Sequence, residues 1–507
     1  MFPIDHFLRA AIKFPNRIAV KDGDTEITYA DLAAQANALA AAIQSIDPNP
    51  QTRVGICGYN TVEHLLAWLA TFASGKTWVP LNPRNGKPEL DRICEVTGPS
   101  IVFIDADCTD KVNSGFATRI TAKLGSAKPE EKTLAGLVDA FMGKMPKRHD
   151  INLDDLQAIK FTGGSSGQPK GCMQTYRVWN TCITSMLIEF NFDENDQHLL
   201  AAPMTHGTNT LIMPTFAAGG TQVLMGPAKP AAIIEALEVE CVTSIFLPPT
   251  VIYMMLDEEG IENRDFTGLK HLIVGGAAIR KDEVQRAMSV FNNALETCYG
   301  QTEAPQIVTC MRSEDWIKPE NWASTGRATC NTRVETMDPD GNIMPRGESG
   351  EIVVKGDLVM KGYFEMPDKT AETIIDGWLH TGDVGVIDDR GFIYIKDRIR
   401  DVVITGGFNV YPSDVETVLG QHPDVTECVV FGIPDRKWGE ALTAAVEVRK
   451  GSSTIGEEIA AFVKERLDSV KTPKVVHIVD KLPRSPVGKV LRREAKVMFS
   501  PKEEAPA

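Results

Sequence analysis

An alternation of strand-like and helix-like segments restricts how this chain can fold more than any other feature. Residues 54–57, 77–81 and 101–104 are short apolar runs typical of buried strands. Residues 27–46 and 61–73 have the composition of helices. Strands that alternate with helices build a mostly parallel sheet covered by helices on both faces, so we predict an α/β fold.

The alternation continues through the middle of the chain after a less regular stretch. Residues 105–150 are charged and irregular, and they suggest no chemistry. Helices are expected at 176–190 and at about 280–291. Further buried strands are expected at 199–201, 221–225, 243–247 and 272–274.

The pattern changes near residue 333, where short β runs separated by glycine turns replace the alternation. Three such runs, at 333–337, 351–355 and 392–395, predict a small β subdomain that closes a large domain. The Arg-, Asp- and Gly-rich residues 398–407 predict a domain boundary, which we place between residues 399 and 400. The rest, 400–507, is expected to be one small α+β domain with elements at 412–419, 427–431, 442–448, 456–467 and 475–479.

Composition excludes several classes of protein. A chain of 507 residues is too long for one ordinary core, and its formal net charge of -15 argues against a nucleic-acid-binding surface. Its ten cysteines are scattered without a Cys-x-x-Cys pair, which is typical of a reduced, cytoplasmic enzyme. We find no signal peptide, no apolar run as long as a membrane span and no peroxisomal C-terminal signal.

A glycine-rich segment at 162–171 carries the clearest chemical signal. It reads Thr-Gly-Gly-Ser-Ser-Gly-Gln-Pro-Lys-Gly. Glycines let backbone N–H groups approach phosphate oxygens, while hydroxyls and a lysine add side-chain donors. It is not a Walker A motif, because Pro169 precedes Lys170 and Gly171 follows it. By itself the segment is also explained as a flexible surface turn.

Four short motifs follow downstream. Residues 275–278 read Gly-Gly-Ala-Ala and residues 299–303 read Tyr-Gly-Gln-Thr-Glu, and both come after strand-like runs. Residues 381–383 read Thr-Gly-Asp, and residues 482–490 read Leu-Pro-Arg-Ser-Pro-Val-Gly-Lys-Val. Taken singly, these motifs are equally explained by turns, close packing or a surface lysine.

Together, and in this order, the motifs resemble those of the adenylate-forming superfamily. That group includes acyl-CoA synthetases, peptide-synthetase adenylation domains and beetle luciferases. Its usual loop is Thr-Ser-Gly-Ser-Thr-Gly-x-Pro-Lys-Gly, and this chain departs from it with Gly163 for Ser and Ser166 for Thr. The resemblance spans nearly the whole chain. It implies a large N-terminal domain that binds ATP and a carboxylate, 1–399, and a small mobile C-terminal domain, 400–507.

The resemblance implies a set of nucleotide-binding residues. The phosphate loop would contribute Thr162, Gly163, Gly164, Ser165, Ser166, Gly167 and Lys170. Adenine and the α-phosphate would be contacted by Gly276, Ala277, Ala278, Tyr299, Gly300, Gln301 and Thr302. The ribose would be bound by Asp383 and Arg398, and Mg²⁺ by Glu303.

It also implies the residues that carry the chemistry. Lys489 would bridge the carboxylate and the α-phosphate, and His206 would lie near the acid, beside the catalytic Thr302 and Glu303. Gly406 and Gly407 would line a pantetheine tunnel after the small domain rotates about Arg400. Lys489 and the two glycines would then serve successive half-reactions.

These expectations amount to an acyl-CoA synthetase that uses ATP, Mg²⁺ and CoA. Residues 201–220 contain no acidic side chain, which argues against a substrate with a free α-amino group. Gly207, Thr208, Gly275 and Gly276 suggest space for a bulky apolar acid, either fatty or aryl.

The alternatives are a ligase that loads a carrier-protein thiol, a luciferase-like oxygenase and a non-catalytic nucleotide-binding regulator. Partners are expected to be small molecules, without nucleic acid or a membrane span, and a homodimer stays open.

Overall fold

The structure is a computed structural model. It describes residues 1–113, 115, 118–121, 132–150, 152–162, 169–226, 229–239, 241–484 and 490–500. The chain divides into two compact units, and the domain boundary expected between residues 399 and 400 stays a prediction. The first unit comprises Met1–Ala278, Gln285–Val334 and Val354–His380, and the second comprises Ile279–Val284, Glu335–Val353 and Thr381–Ala507.

Strands and helices are numbered separately in chain order. The strands are β1 Ile18–Asp22, β2 Thr25–Thr28, β3 Arg53–Cys57, β4 Thr77–Leu81, β5 Ile101–Ile104, β6 Thr118–Thr121, β7 Leu156–Thr162, β8 Lys170–Thr175, β9 Gln197–Leu200, β10 Thr221–Leu224, β11 Ser244–Leu247, β12 His271–Val274, β13 Leu295–Tyr299, β14 Thr309–Met311, β15 Arg327–Ala328, β16 Thr332–Met337, β17 Ser349–Gly356, β18 Gly362–Tyr363, β19 Ile374–Ile375, β20 Trp378–Ile387, β21 Ile393–Arg398, β22 Val403–Thr405, β23 Phe408–Val410, β24 Val425–Asp435, β25 Gly439–Val448 and β26 Val475–Val479. The helices are α1 Pro3–Lys13, α2 Tyr29–Ile46, α3 Val62–Ala73, α4 Lys87–Thr97, α5 Leu134–Phe141, α6 Tyr176–Phe190, α7 Ile212–Ala218, α8 Pro230–Val239, α9 Pro249–Leu256, α10 Lys281–Val290, α11 Ser313–Trp316, α12 Pro367–Thr373, α13 Pro412–Leu419, α14 Gly456–Arg466 and α15 Arg492–Phe499.

Two mostly parallel sheets build the first unit. Within the described residues, one sheet runs β15-β14-β13-β12-β11-β9-β10-β1-β2 and the other runs β18-β8-β7-β4-β3-β5-β6. Antiparallel pairing is confined to the edges, where β2, β14, β15, β8 and β18 lie. The predicted α/β class is therefore confirmed.

One buried core connects the two sheets of this unit. Helices α2, α3 and α6 contribute Leu32, Trp68 and Trp179, and they pack with Val54 of β3 and Leu200 of β9. Burying a large apolar side chain of this kind contributes about 2 kcal/mol, so helices shared by two sheets fix both at once.

Most predicted elements are present, but the prediction of an irregular stretch at 105–150 is wrong. The stretch contains β6, which pairs with β5, and the helix α5. Thr133 caps α5 by accepting a hydrogen bond from the Gly136 N–H, and Leu134 and Val138 are buried. This cap and apolar spacing were visible in the sequence but were outweighed by the charged residues around them.

The second unit contains the predicted small α+β arrangement. Its sheet runs β23-β22-β25-β24, and β26 joins β25 in parallel. Helices α13 and α14 cover this sheet through Val415, Leu419, Ile459 and Val463, which are all buried. Elsewhere in this unit β20 pairs with β21, which places Asp383 directly opposite Arg398.

Every helix in the described part of the chain is too short or too polar to traverse a lipid bilayer.

We predict that Gly326→Ala destabilises the protein far more than Gly260→Ala. Both glycines have positive φ angles, +90° and +79°, which cost an alanine about 1 kcal/mol. A Cβ on Gly326 would also overlap the carbonyl oxygen of Cys310 in β14, whereas one on Gly260 meets no atom within 4 Å. Urea unfolding should show an additional loss of about 2 kcal/mol for Gly326→Ala. Equal losses of unfolding free energy in the two variants would contradict the close packing of Gly326 against Cys310 in β14.

Candidate functional site

The two ends of the glycine-rich segment are held together by a strand pair. Strand β7 ends at Thr162 and β8 begins at Lys170, and these two residues are direct partners in the antiparallel register. Both are half-buried. The intervening loop therefore starts and ends at one edge of the sheet. The predicted phosphate-binding residues Gly163, Gly164, Ser165, Ser166 and Gly167 lie outside the described residues.

A tyrosine brings Lys170 and Glu303 to one place. The ammonium of Lys170 lies 4.9 Å from the centre of the Tyr363 ring. The hydroxyl of Tyr363 donates a hydrogen bond of 2.7 Å to Oε1 of Glu303. Burial raises the pKa of Tyr363, and the Glu303 charge raises it further, so the phenol stays protonated and donates. The site thus combines a lysine, predicted to bind phosphate, with an oriented carboxylate.

The predicted adenine motif forms a tight turn after β13. Tyr299 is the last residue of that strand, and the Gln301 N–H donates to the Ala304 carbonyl at 3.0 Å. A Cβ on Gly300 would lie 2.6 Å from the backbone of Gln306, so only glycine fits there.

A buried glutamine connects this turn to β8. Gln174 lies in β8, and its Nε2 donates to the Thr302 carbonyl at 2.9 Å. The strand after the phosphate loop therefore fixes the residue that precedes Glu303.

The Gly-Gly-Ala-Ala motif follows β12 and is mostly exposed. Gly276, Ala277 and Ala278 are exposed, and Gly276 has a φ of +83° with open space at its Cβ position. Gly275 is different, because a Cβ there would lie 2.5 Å from the ring of Phe246. The exposed residues leave open space, and their contact with adenine stays a prediction.

The expected space for an acid is only partly present. A Cβ on Gly207 would lie 2.7 Å from Oε1 of Gln306 and 3.4 Å from the Phe246 ring. Thr208 is fully buried. Of the four small residues, only Gly276 faces open space; Gly207 and Gly275 are small because Phe246 and Gln306 pack onto them. The prediction of free space beside all four is corrected accordingly.

Phe246 and Gln306 were missed by sequence reasoning, although they connect three motifs. Phe246 contacts both Gly207 and Gly275, and Gln306 approaches Gly207 and Gly300. Phe246 is one apolar residue within the strand Ser-Ile-Phe-Leu, so nothing in the sequence marks it. Gln306 has a φ of +63°, a conformation that its sequence does not predict.

His206 lies at the start of a short 3₁₀ turn, Gly207–Leu211. Its Nδ1 is 3.1 Å from the Thr205 hydroxyl, and its carbonyl accepts a hydrogen bond from Nδ2 of Asn209. The residue is open to solvent at the site surface, although protein atoms surround most of the ring. Desolvation by the surrounding protein, together with the charges of Lys160 and Arg84, lowers the pKa of His206 to about 4. The imidazole is therefore neutral at physiological pH.

In the second unit, the structure pairs the two predicted ribose-binding residues. Nε of Arg398 lies 3.0 Å from Oδ1 of Asp383, whose side chain is buried. Gly406 and Gly407 have positive φ angles and form the turn between β22 and β23. Lys489 lies outside the described residues.

An arginine close to Lys489 in sequence anchors the first helical turn of α15. Arg492 binds both carboxylate oxygens of Glu416 at 2.9 Å, and it also contacts Asp397 and Asp401. Burial opposes the charge on Arg492, but Glu416 and Asp397 raise its pKa, so it remains a cation. The chain that leaves the Lys489 segment is thus tied to the residues around Arg398.

Comparison with known proteins gives a consistent picture. The family model described as "AMP-binding enzyme" matches residues 7–364, and that of "AMP-binding enzyme C-terminal domain" matches residues 414–489. Feruloyl-CoA synthase from Amycolatopsis sp is 35% identical over 497 residues, which cover 97% of this chain and 98% of that protein. The medium/long-chain-fatty-acid–CoA ligase FadD8 of Mycobacterium tuberculosis is 32% identical over 97% of this chain and 90% of its own length.

Solved structures with the same architecture include two enzymes. The amide bond synthetase McbA from Marinactinospora thermotolerans has a TM-score of 0.88 and 27% identity, covering 99% of this chain and 100% of that one. ATP-bound MatB from Rhodopseudomonas palustris has a TM-score of 0.87 and 28% identity, covering 98% and 99%.

We predict that Gln174→Met destabilises the protein, whereas Gln157→Met does not. Both glutamines are fully buried, on the neighbouring strands β8 and β7. Gln174 accepts from Nε1 of Trp179 and donates to Thr302, but the amide of Gln157 has no hydrogen-bond partner among the described residues. Leaving Trp179 and Thr302 unsatisfied should cost about 3 kcal/mol, measured by urea unfolding. Similar losses for the two variants would contradict the bridging role of Gln174.

Proposed function

We propose a substrate class for this chain, which belongs to the adenylate-forming superfamily and is an AMP-forming acid–CoA ligase. Its substrate is an apolar fatty or aryl carboxylic acid. A carboxylate oxygen attacks the α-phosphorus of ATP, which forms an acyl-adenylate and releases pyrophosphate. The CoA sulfur then attacks the acyl carbonyl carbon, and AMP leaves with the electrons of the broken C–O bond.

The observation that carries the substrate proposal is the surroundings of His206. Residues 201–220 contain no acidic side chain, so a substrate ammonium has no counter-charge there. The neutral imidazole can hydrogen-bond to a carboxylate, and the Phe246 ring lies against Gly207 and Gly275. An aromatic ring on this wall favours an apolar acyl group.

Residues of the first unit are proposed to bind the triphosphate and adenine. Lys170, held over the Tyr363 ring, supplies the cation next to the phosphate loop. Tyr299 stacks on adenine and Thr302 contacts the α-phosphate. Loop residues 162–167 add backbone and hydroxyl donors, an assignment that depends on the family motif.

Residues of the second unit are proposed to act on the ribose, the reacting carboxylate and CoA. Asp383 accepts hydrogen bonds from the ribose hydroxyls, and Arg398, which pairs with it, holds the carboxylate in place. Lys489 stabilises the charge that develops between carboxylate and α-phosphate. Gly406 and Gly407 leave space for pantetheine.

Glu303 fits the requirements of a Mg²⁺ ligand. Mg²⁺ in nucleotide sites takes one or two carboxylates and completes its shell with phosphate oxygens and water. Glu303 offers one carboxylate whose orientation is fixed by Tyr363, and Lys170 is nearby to share the phosphate charge. When bound, the ion would neutralise triphosphate charge.

Two other acceptors are known among similar proteins. One relative, 30% identical over 498 residues, is named a fatty acid–[acyl-carrier-protein] ligase, and McbA is named an amide bond synthetase. We favour CoA, because feruloyl-CoA synthase and FadD8 match this chain at higher identity. The presence of Lys170, Glu303, Asp383 and Lys489 argues against a non-catalytic regulator.

We further propose a cytoplasmic enzyme whose partners are small molecules. Its cysteines are free, which suits a reducing compartment. A homodimer is left to be tested by sedimentation.

Pyrophosphate and AMP release across a panel of carboxylic acids tests the proposed function. Fatty and aryl acids should give AMP turnover that depends on CoA, whereas α-amino acids should give none. Pyrophosphate release that does not depend on CoA but increases with a carrier protein or an amine would show that this compound, and not CoA, is the acceptor. Turnover with α-amino acids would contradict the proposed substrate class. The absence of turnover with every acid would contradict ligase activity.

We predict that Tyr363→Phe weakens Mg²⁺ binding about tenfold, because the Glu303 carboxylate loses the donor that orients it. Calorimetric titration of ATP at several Mg²⁺ concentrations gives the apparent Kd, and Mg²⁺ titration of turnover gives the corresponding KM.

The matched control for this prediction is Tyr176→Phe. Tyr176 is also buried, but its hydroxyl contacts only Gln51 among the described residues, at 3.3 Å. An unchanged Mg²⁺ requirement in Tyr363→Phe, or an equal change in both variants, would contradict the orienting role.

A further inference from the structure

A buried lysine near the His206 turn has no carboxylate partner in the described part of the chain. Lys160 is in β7, two residues before Thr162, and its side chain is buried. Its ammonium donates to Oδ1 of Asn209 at 2.9 Å and lies 5.3 Å and 5.2 Å from the ring centres of Trp78 and Trp179. No carboxylate among the described residues forms an ion pair with it. Burying a charge in this way costs stability, so the lysine needs another explanation.

Lys76 shows what a structural buried lysine looks like in the same unit. It is almost fully buried, but it lies 3.3 Å from Oδ2 of Asp47 and donates to the carbonyls of Asp47 and Asn49. Burial raises the pKa of Asp47, but hydrogen bonds from Ser100, Thr52 and Asn49 and the Lys76 charge lower it further than burial raises it. Lys76 therefore has a carboxylate counter-charge, whereas none of the described residues supplies one to Lys160.

The contacts of Lys160 lead to the acid site. Asn209 is fully buried and uses both ends of its amide, accepting from Lys160 and donating from Nδ2 to the His206 carbonyl. Two hydrogen bonds therefore connect the Lys160 ammonium, through the Asn209 amide, to the backbone of the His206 turn. The positive charge of Lys160 also acts on His206 directly, since it helps to lower the pKa of that ring.

We propose that Lys160 is a positioning residue for the acid substrate: its ammonium holds Asn209 and the His206 turn, and its charge favours a carboxylate bound beside that turn. This inference rests on the proposed function, in which His206 borders the carboxylate. It explains why a buried lysine that pairs with no carboxylate of the described residues is retained. The substrate itself supplies the missing negative charge.

The proposal has a consequence for pH dependence. Burial lowers the pKa of Lys160 to about 7. The neighbouring titratable groups are His206, with a pKa lowered to about 4, and the thiols of Cys172 on β8 and Cys182 on α6, whose pKa values burial raises. Trp78 and Asn209 do not titrate.

Only the Lys160 ammonium in this set changes charge between pH 6 and pH 9. It is protonated below its pKa of about 7 and loses its charge above it. Binding of the acid should therefore weaken as the pH rises through that value, because a bound carboxylate favours the protonated lysine.

We predict that the KM for the acid rises about tenfold from pH 6 to pH 9 in the wild type, while the KM for ATP changes less than about twofold. In Lys160→Met the acid KM should be about tenfold higher at pH 6 and independent of pH. The KM values of the wild type and of Lys160→Met are measured from pyrophosphate release in the adenylation half-reaction without CoA. In the variant, ¹⁵N NMR should also show a raised pKa for His206, because a nearby cation is gone.

Lys76→Met is the matched control, since it also removes a buried lysine. It should lower the thermal midpoint but leave the acid KM and its pH profile unchanged. The wild-type profile requires no variant, so it tests the proposal even where Lys160→Met fails to fold. An acid KM that is flat from pH 6 to pH 9 in the wild type, or equal changes for acid and ATP in Lys160→Met, would overturn the role of Lys160. If the wild type releases no pyrophosphate with any acid, the proposed function is overturned instead.

Discussion

The antiparallel pairing of β7 with β8 is the interaction on which the candidate site of the first unit depends. It sets Thr162 opposite Lys170, so the phosphate loop has fixed ends. From the same two strands, Lys170 reaches Tyr363, Gln174 reaches Thr302 and Lys160 reaches Asn209. One two-stranded ladder thereby positions groups proposed for phosphate, Mg²⁺ and the acid. A slip of β8 by one residue would turn Lys170 and Gln174 to the opposite face of the sheet.

Periodicity predicted the fold class, because burial in a parallel sheet imposes long apolar runs that a sequence displays openly. The contacts that shape the site are different in kind. Phe246 looks like any core residue in its strand, and Gln306 takes a left-handed conformation that its residue type does not predict. The cap of helix α5 is visible in the sequence, but its short apolar stripe is obscured by the charged residues around it. The residue types of the motifs were predictable, while the partners that orient them, such as Tyr363 for Glu303, come from distant parts of the chain. The roles assigned to these residues stay predictions.

The small residues of the motifs serve packing as much as ligand binding. Gly207 and Gly275 accommodate a ring that belongs to the protein, and Gly300 accommodates the backbone of Gln306. A phenylalanine brought this close to two glycine backbones has little freedom to move. The wall of the proposed acid site is therefore rigid where Phe246 lies and open where Gly276 is exposed. Acids of different width should thus be discriminated more strongly beside Phe246 than beside Gly276.

The proximity of Thr162 and Lys170 in sequence also bears on how the chain folds. A hairpin whose strands are joined by a short loop loses little entropy on closure and can form early. Strand β18, which brings Tyr363 to the edge of β8, comes from much later in the sequence and pays a larger closure entropy. The ends of the proposed phosphate loop are thus encoded locally, whereas the half of the site that orients Glu303 depends on long-range assembly. A nascent chain would acquire the first well before the second.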